Sequence, residues 1–108
     1  MSILTRLLVF GVLGALLAGA AAADSAIPGR YACWFYDTPQ PLQNFSLEDG
    51  SYTDASGVSG SVTFSGEKMV FVGGHLNSRT GIYNGGNPPT ISFYNADGEQ
   101  VLLCQLTQ

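Results

Sequence analysis

His75 is the only histidine in the chain, and so the only residue that could serve as the histidine of a nucleophile–histidine–carboxylate site. In a hydrolase it would act as a general acid or base beside a carboxylate from a loop. The closest approach to a nucleophile elbow, G-x-S-x-G, is the string GVSGS at 57–61, whose fifth residue is serine. We therefore interpret His75, which follows two glycines, as a loop residue. A small hydrolase is the least favoured function.

Acidic residues also provide little evidence of chemistry. Paired carboxylates serve glycosidases, and clustered ones hold calcium. Here nearly all the acids fall in predicted turns, and segment 49–54 lacks the ligand spacing of an EF-hand. Two cysteines with one histidine are too few for zinc, and no phosphate-binding glycine motif occurs. The sequence predicts no catalytic residue, no metal and no cofactor.

The charge balance disfavours nucleic acid as a partner. Of the four Lys and Arg residues, Arg6 lies in the N-terminal segment, which leaves Arg30, Lys68 and Arg79 against eight acids. Neutralising a phosphate backbone requires a cluster of cations, and this chain has none.

Cys33 and Cys104 are the only cysteines, and they lie 71 positions apart. An even count in an exported chain predicts a disulfide, whereas a redox pair is usually closely spaced. Closing a loop of this length stabilises a fold by about 4 kcal/mol in the chain-entropy treatment. We predict a structural disulfide.

Aromatic residues occupy both faces of the first predicted strand, 30–36, although only one face can point inward. If Arg30 marks the outer face, Trp34 and Tyr36 are displayed on the surface. Exposed aromatics commonly anchor partners or stack on sugar rings, which makes these two the candidate binding residues. Alternatively, a neighbouring segment covers them or they point inward. The polar loop 84–89 is a second candidate.

The N-terminal segment predicts export. One cation precedes an apolar run at 7–17, and small residues follow, ending in Ala21-Ala22-Ala23. This is typical of a signal peptide, residues 1–23, cleaved after Ala23 to release one domain, 24–108, to the periplasm or the medium. The alternative is a retained anchor, since the apolar stretch is at the lower edge of a membrane span. After cleavage we expect no membrane contact.

The remaining chain predicts an all-β fold, because apolar and polar residues alternate in short windows such as 60–65 and 90–94. Seven turn signals divide it into about eight short strands. Asp49-Gly50 and Asp97-Gly98 are predicted as two-residue type I′ hairpin turns. Such a meander forms either a small antiparallel up-and-down β-barrel or a two-sheet β-sandwich. Cys33 in the first strand and Cys104 in the last, 100–106, make those strands neighbours if they are bonded, which favours the barrel.

The motifs G-x-Y at Gly29, Gly50 and Gly81, with the two cysteines, resemble the layout of small exported bacterial β-domains of uncharacterised function. The architecture is also similar to that of the periplasmic alkaline-proteinase inhibitors, small secreted barrels that resemble lipocalins. Tyr31 stands where that family has tryptophan. The resemblance implies a fold and an address only, those of a small exported β-barrel.

These observations favour an exported, non-enzymatic β-barrel binding module. Its partner would be a protein such as a protease, or a small apolar or glycan ligand. The alternative is a structural component of the envelope or matrix. We expect side chains to fill the barrel interior and leave little room there for a ligand. The expected interior residues are Phe45, Leu47, Val62, Phe64, Ile91 and Phe93.

Overall fold

Nine β-strands joined by short connections make up most of residues 25–107, the part of the chain that the computed structural model describes. The predicted signal peptide, 1–23, and its cleavage site lie outside the described residues. The strands are β1 Gly29–Phe35, β2 Thr38–Pro39, β3 Phe45–Glu48, β4 Ser51–Asp54, β5 Ser59–Ser65, β6 Lys68–Val72, β7 Thr80–Asn84, β8 Thr90–Tyr94 and β9 Gln100–Leu106.

Eight of these strands close into an antiparallel barrel, which confirms the predicted all-β barrel over the sandwich. From β3 to β9 each strand pairs with the next in sequence, and β1 pairs with β3 on one side and with β9 on the other. The additional strand, β2, pairs only with the end of β1. The barrel forms because its strands alternate buried and exposed side chains, as in β6, so that one face of the sheet can turn inward.

The predicted disulfide joins the first and last strands of the barrel. Cys33 of β1 and Cys104 of β9 are directly opposite one another in the antiparallel register, with Cα atoms 3.9 Å apart. Both side chains are buried. The covalent bond therefore lies across the seam at which the barrel closes.

The connections define two ends of the barrel. We call the upper end the one where β1 ends and β9 begins. The upper end carries segments 36–44, 55–58, 73–79 and 95–99, and the lower end carries turns 49–50 and 66–67, loop 85–89 and residues 25–28.

The first strand differs by one residue at each end from the predicted 30–36, because the chain turns at Tyr36. Its φ of 54° places the backbone in the left-handed region, which ends the strand at Phe35. The turn brings β2 back along β1, with Pro39 opposite Trp34. A 3₁₀ helix, Pro41–Gln43, then leads into β3.

Neither predicted type I′ turn forms. At 49–50 the loop has two residues as expected, but only Gly50 has a positive φ, whereas a type I′ turn needs it at both positions. At the other site the loop has five residues, 95–99, because the Asn95 Oδ1 accepts hydrogen bonds from the backbone N–H of Asp97 and of Glu99. An asparagine that caps its own turn in this way lengthens the loop.

The barrel interior is filled by side chains, and aromatic rings dominate it. Five of the six expected interior residues are buried, and Phe64 is partly buried against the others. The Phe71 ring lies near the centre of the core, with centroids 5.1–5.7 Å from three other rings. Eight strands enclose a space just wide enough for such packing. The other buried residues of this core are Tyr31, Cys33, Tyr52, Met69, Phe71, Leu76, Leu102 and Cys104.

Two buried tyrosines fasten chain segments over the two ends. At the lower end the Tyr31 hydroxyl donates to the Ile27 carbonyl, 2.6 Å away. At the upper end the Tyr52 hydroxyl donates to the Gly73 carbonyl and accepts from the Leu76 N–H at 3.1 Å. Burial raises the pKa of both hydroxyls, that of Tyr31 to about 12. Both therefore remain proton donors over the physiological pH range.

Replacing both Cys33 and Cys104 by alanine should destabilise the protein by roughly 4 kcal/mol, because the unfolded chain is no longer closed into a long loop. Urea unfolding followed by circular dichroism measures this difference. Dithiothreitol should shift the wild-type midpoint down and leave that of the double variant unchanged. Equal midpoints for the two proteins without reductant would contradict a stabilising crosslink.

Gly60→Ala should destabilise the barrel by about 3 kcal/mol, the upper range for overpacking a core. An added Cβ would lie 2.5 Å from the Val72 carbonyl oxygen and 2.6 Å from the Tyr52 ring. Gly85→Ala is the matched control, since its Cβ would lie 3.8 Å from the nearest atom. In thermal unfolding we expect a Tm well below wild type for the first variant and near wild type for the second.

Candidate functional site

A cleft of about 640 Å³ opens at the upper end of the barrel. It lies between the end of β1, the segment that contains the 3₁₀ helix, the start of β7 and the hairpin that joins β8 to β9. We call it the upper cleft. Three regions that are distant in sequence, 35–43, 78–80 and 94–102, contribute its walls, so that it exists only in the folded barrel.

The apolar wall of the upper cleft is formed by Phe35, Tyr94, Val101 and Leu102. Phe35 and Tyr94 are 42% and 47% exposed, whereas Leu102 is buried at the base. The two rings are large apolar surfaces left open to solvent. Aromatic surfaces of this kind are the usual contact faces for ligands.

A β-bulge in β9 supplies part of this wall. Gln100 pairs with Tyr94 and Leu102 with Phe93, so Val101 is an extra residue without a partner on β8. The bulge breaks the strict alternation of the strand, and Val101 and Leu102, although adjacent in sequence, both line the cleft. Bulges often occur beside functional sites, where they redirect a side chain.

Two polar side chains in the same lining, those of Gln40 and Gln43, have no partner in the described part of the chain. The backbone of Gln40 is fixed, since its N–H donates to the Cys33 carbonyl at 2.8 Å and its carbonyl accepts from Gln43. The two glutamine carboxamides, by contrast, make no hydrogen bond to any residue of 25–107, although both residues are partly buried. Each carboxamide presents a donor and an acceptor to whatever fills the cleft.

Arg79 is the one charged residue in the lining of the upper cleft. Its backbone is held on both sides, because its N–H donates to the Leu76 carbonyl and its carbonyl accepts from the Phe71 N–H, each at 3.0 Å. Within residues 25–107 the guanidinium makes neither an ion pair nor a hydrogen bond. The lining therefore includes one positive charge, on an exposed residue, that no other described group compensates.

The predicted binding residues Trp34 and Tyr36 lie beside this cleft but do not line it. Trp34 is on the outer face of β1 and is half-buried, with Pro39 and Leu103 opposite it on the neighbouring strands. Tyr36 is 78% exposed in the turn that follows, and its ring packs on Phe35 with centroids 4.6 Å apart. The other candidate, loop 84–89, is at the lower end, far from the cleft along the strands.

A second polar cluster, formed by Asp54 and His75, holds two upper loops together. Oδ1 of Asp54 accepts from the N–H groups of Ser56 and Val58, both at 2.9 Å. Its Oδ2 accepts from the His75 N–H at 3.1 Å and lies 3.4 Å from His75 Nδ1. The structure thus pairs His75 with a loop-facing carboxylate, the arrangement that a hydrolase would require.

Three backbone donors occupy this carboxylate, so its contacts are those of a structural clamp between loops 55–58 and 73–76. The Val58 N–H, with further hydrogen bonds from His75 and Ser56, holds the pKa of Asp54 below its usual value, although burial acts in the opposite direction. Among residues 25–107 no serine, threonine or cysteine side chain hydrogen-bonds to His75. No nucleophile is therefore positioned for it to activate.

Two further features of the described residues bear on ligands. An outer groove of about 430 Å³ runs beside β1, β3 and β4, with Arg30 and Asp54 in its lining. Residues 25–107 contain no group of three or more histidine, cysteine, aspartate or glutamate side chains that could hold a metal ion.

The sequence did not identify the lining of the upper cleft. Alternation along β1 places Phe35 on the same face as Tyr31 and Cys33. Phe35 is nevertheless exposed, because it is the last residue of the strand, at the upper end of the barrel. Arg79 was noted only as one of three cations. The one available signal was the apolar run 101–103, which interrupts alternation in β9 as a bulge does.

Asp54→Asn should make the Tm of the protein less dependent on pH below about pH 4. A carboxyl whose pKa is lowered by folding adds stability above its unfolded pKa, about 3.9, and that stability is lost as the pH falls through the folded value. We expect the Tm of the wild type to fall more steeply below about pH 4 than that of the variant, which is also less stable at neutral pH. Glu67→Gln, in an exposed turn, is the control and should keep the wild-type profile. Parallel profiles for wild type and Asp54→Asn would contradict the clamp.

No protein-family model, curated protein or solved structure matches this chain. Within residues 25–107, no helix is long and apolar enough to cross a membrane.

Proposed function

We propose that this protein is an exported, non-enzymatic β-barrel that binds a small ligand in the upper cleft. The observation that carries the proposal is the cleft itself, about 640 Å³ in volume, whose lining combines exposed aromatic rings with unpartnered polar side chains. Ligand sites in proteins have volumes of about 300–1,000 Å³ and combine an apolar lining with a few convergent polar groups. The upper cleft has both properties.

The filled interior supports a site at the mouth of the barrel. Met69, Phe71, Ile91 and Phe93 are fully buried at its centre, which leaves no room for a ligand among them. Leu102, at the base of the upper cleft, belongs to the same core. A ligand would therefore rest on the core at the upper end, supported by rigid packing.

The assignment to a non-enzymatic class is supported by the contacts of Asp54 and His75. Asp54 accepts hydrogen bonds from three backbone N–H groups of the loops that it joins, and among residues 25–107 no hydroxyl or thiol side chain hydrogen-bonds to His75 for it to activate. Export is supported by the disulfide, a bond that persists mainly in oxidising compartments, together with the N-terminal segment that is typical of a signal peptide.

A second candidate function, docking of a protein partner, is favoured by one observation. Tyr36 is 78% exposed beside the partly exposed Phe35, with the half-buried Trp34 next along the strand. Exposed aromatics in a cluster frequently act as interface anchors. If the protein docks a partner in this way, Trp34 and Tyr36 contribute more to the binding affinity than the residues of the upper cleft.

The proposal is tested with N-phenyl-1-naphthylamine, an uncharged aromatic probe whose fluorescence rises in apolar sites. Phe35→Ala and Tyr94→Ala should each weaken its binding by about tenfold, since an aromatic contact in a site contributes roughly 1 kcal/mol or more. Both rings are partly exposed, so the folds of these variants should be intact by circular dichroism.

Val72→Ala is the matched control, because Val72 is 51% exposed on β6 and outside the cleft lining. It should bind the probe as the wild type does. Binding that is unchanged in both cleft variants would overturn the proposal. Binding that depends on Trp34 and Tyr36, but not on Phe35 and Tyr94, would move the site to the outer face.

A further inference from the structure

We propose that the ligand of the upper cleft is a small organic monocarboxylate, with its carboxylate on Arg79 and an apolar ring against Phe35 and Tyr94. This inference rests on the proposed function and adds the chemical class of the ligand. It is carried by the position of one uncompensated positive charge beside an apolar wall.

The charge of Arg79 selects for an anion. No acidic residue lines the upper cleft, and within residues 25–107 the guanidinium has no partner of its own. The guanidinium has five donors in a planar fork that matches both oxygens of a carboxylate. A ligand carboxylate would complete these hydrogen bonds without displacing any contact within the described part of the chain.

The glutamines extend the polar side of the site. The carboxamides of Gln40 and Gln43 line the same cleft, and both residues are partly buried with unpartnered side chains. Their N–H groups can donate to a second carboxylate oxygen, and their carbonyl oxygens can accept from a hydroxyl on the ligand ring. The polar groups therefore fit an anion better than a cation, which would find only neutral acceptors.

The apolar wall fits the body of the ligand. Phe35 and Tyr94 expose aromatic rings, and Val101 and Leu102 form an aliphatic base between them. Flat rings pack on such surfaces, and sugar rings stack on aromatics through their C–H faces. Two kinds of molecule share the required chemistry: an aryl carboxylate and a hexuronate sugar.

The protein as a whole disfavours multiply charged anions. The formal net charge of the chain is −4. Its field therefore opposes the approach of negative ligands, and the local attraction of one arginine must overcome it. A single negative charge is consequently the best match, and binding should weaken as salt screens the arginine.

The test uses isothermal titration calorimetry of the purified protein with 2-naphthoate and with 2-naphthamide, its uncharged analogue. The wild type should bind the carboxylate about tenfold more tightly, as expected for one charge-assisted hydrogen-bonded pair. Arg79→Gln should remove this preference while leaving the affinity for 2-naphthamide unchanged. Arg79→Lys should restore part of it, since lysine keeps the charge and loses the fork.

Two matched variants control for charge and location. Lys68→Gln removes one positive charge at the lower end of β6 and should keep the wild-type preference. Arg30→Gln removes the arginine of the outer groove. If Arg30→Gln loses carboxylate binding and Arg79→Gln retains it, the anion binds in the outer groove and the inference is overturned.

The remaining outcomes separate this inference from the proposed function. Equal affinity for the two naphthalene ligands, with dependence on Phe35 retained, would overturn the carboxylate class and leave the binding site standing. Absence of any dependence on Phe35 and Tyr94 would remove the site itself. Titration with glucuronate and with glucose distinguishes the two kinds of ligand. A site for acidic sugars should bind glucuronate more tightly than glucose, whereas a site for aryl carboxylates should bind neither sugar.

Discussion

Closure of the barrel between β1 and β9 is the constraint on which the rest of the structure depends. The ladder between these strands joins the two ends of the described chain, and the Cys33–Cys104 bond lies across it. Opening this seam would expose the edges of both strands and the rings that fill the interior. The upper cleft depends on the same seam, because Phe35 belongs to β1 and Val101 to β9.

The upper end is covered unevenly, and this asymmetry produces the cleft. On one side, the Asp54 clamp and the Tyr52 hydroxyl draw loop 73–79 inward and bury Leu76. On the other side, the five-residue loop 95–99 and the turn at Tyr36 contribute no buried residue. Coverage by packing on one side thus leaves an open, partly polar surface on the other.

The sequence predicted the architecture well and the site poorly, for a physical reason. Strands 90–94 and 100–106 were predicted with the bounds they have, because the alternation of apolar and polar residue types in the first and the turn residues that precede the second are local signals. The cysteine pair supplied the one long-range contact needed to choose a barrel. The cleft, however, combines Phe35, Gln40 and Arg79 with Tyr94 through the register of several strands and one bulge. Strand register is not a local pattern, and the apolar run 101–103 signals the bulge but not the residues that surround it. Trp34 and Tyr36 lie beside the upper cleft, and the turn at Tyr36 ends β1 at Phe35, which is the residue of this strand that lines the cleft.

The short strand β2 has a consequence for how the protein behaves at high concentration. It pairs only with β1, and within residues 25–107 its outer side is the one strand edge that no neighbouring strand covers. A free edge is a template on which other chains can add strands and build fibrils. This edge is two residues long, and Pro39 has no N–H to donate to an incoming strand. The short length of β2 and its proline therefore hinder the addition of further strands at this edge.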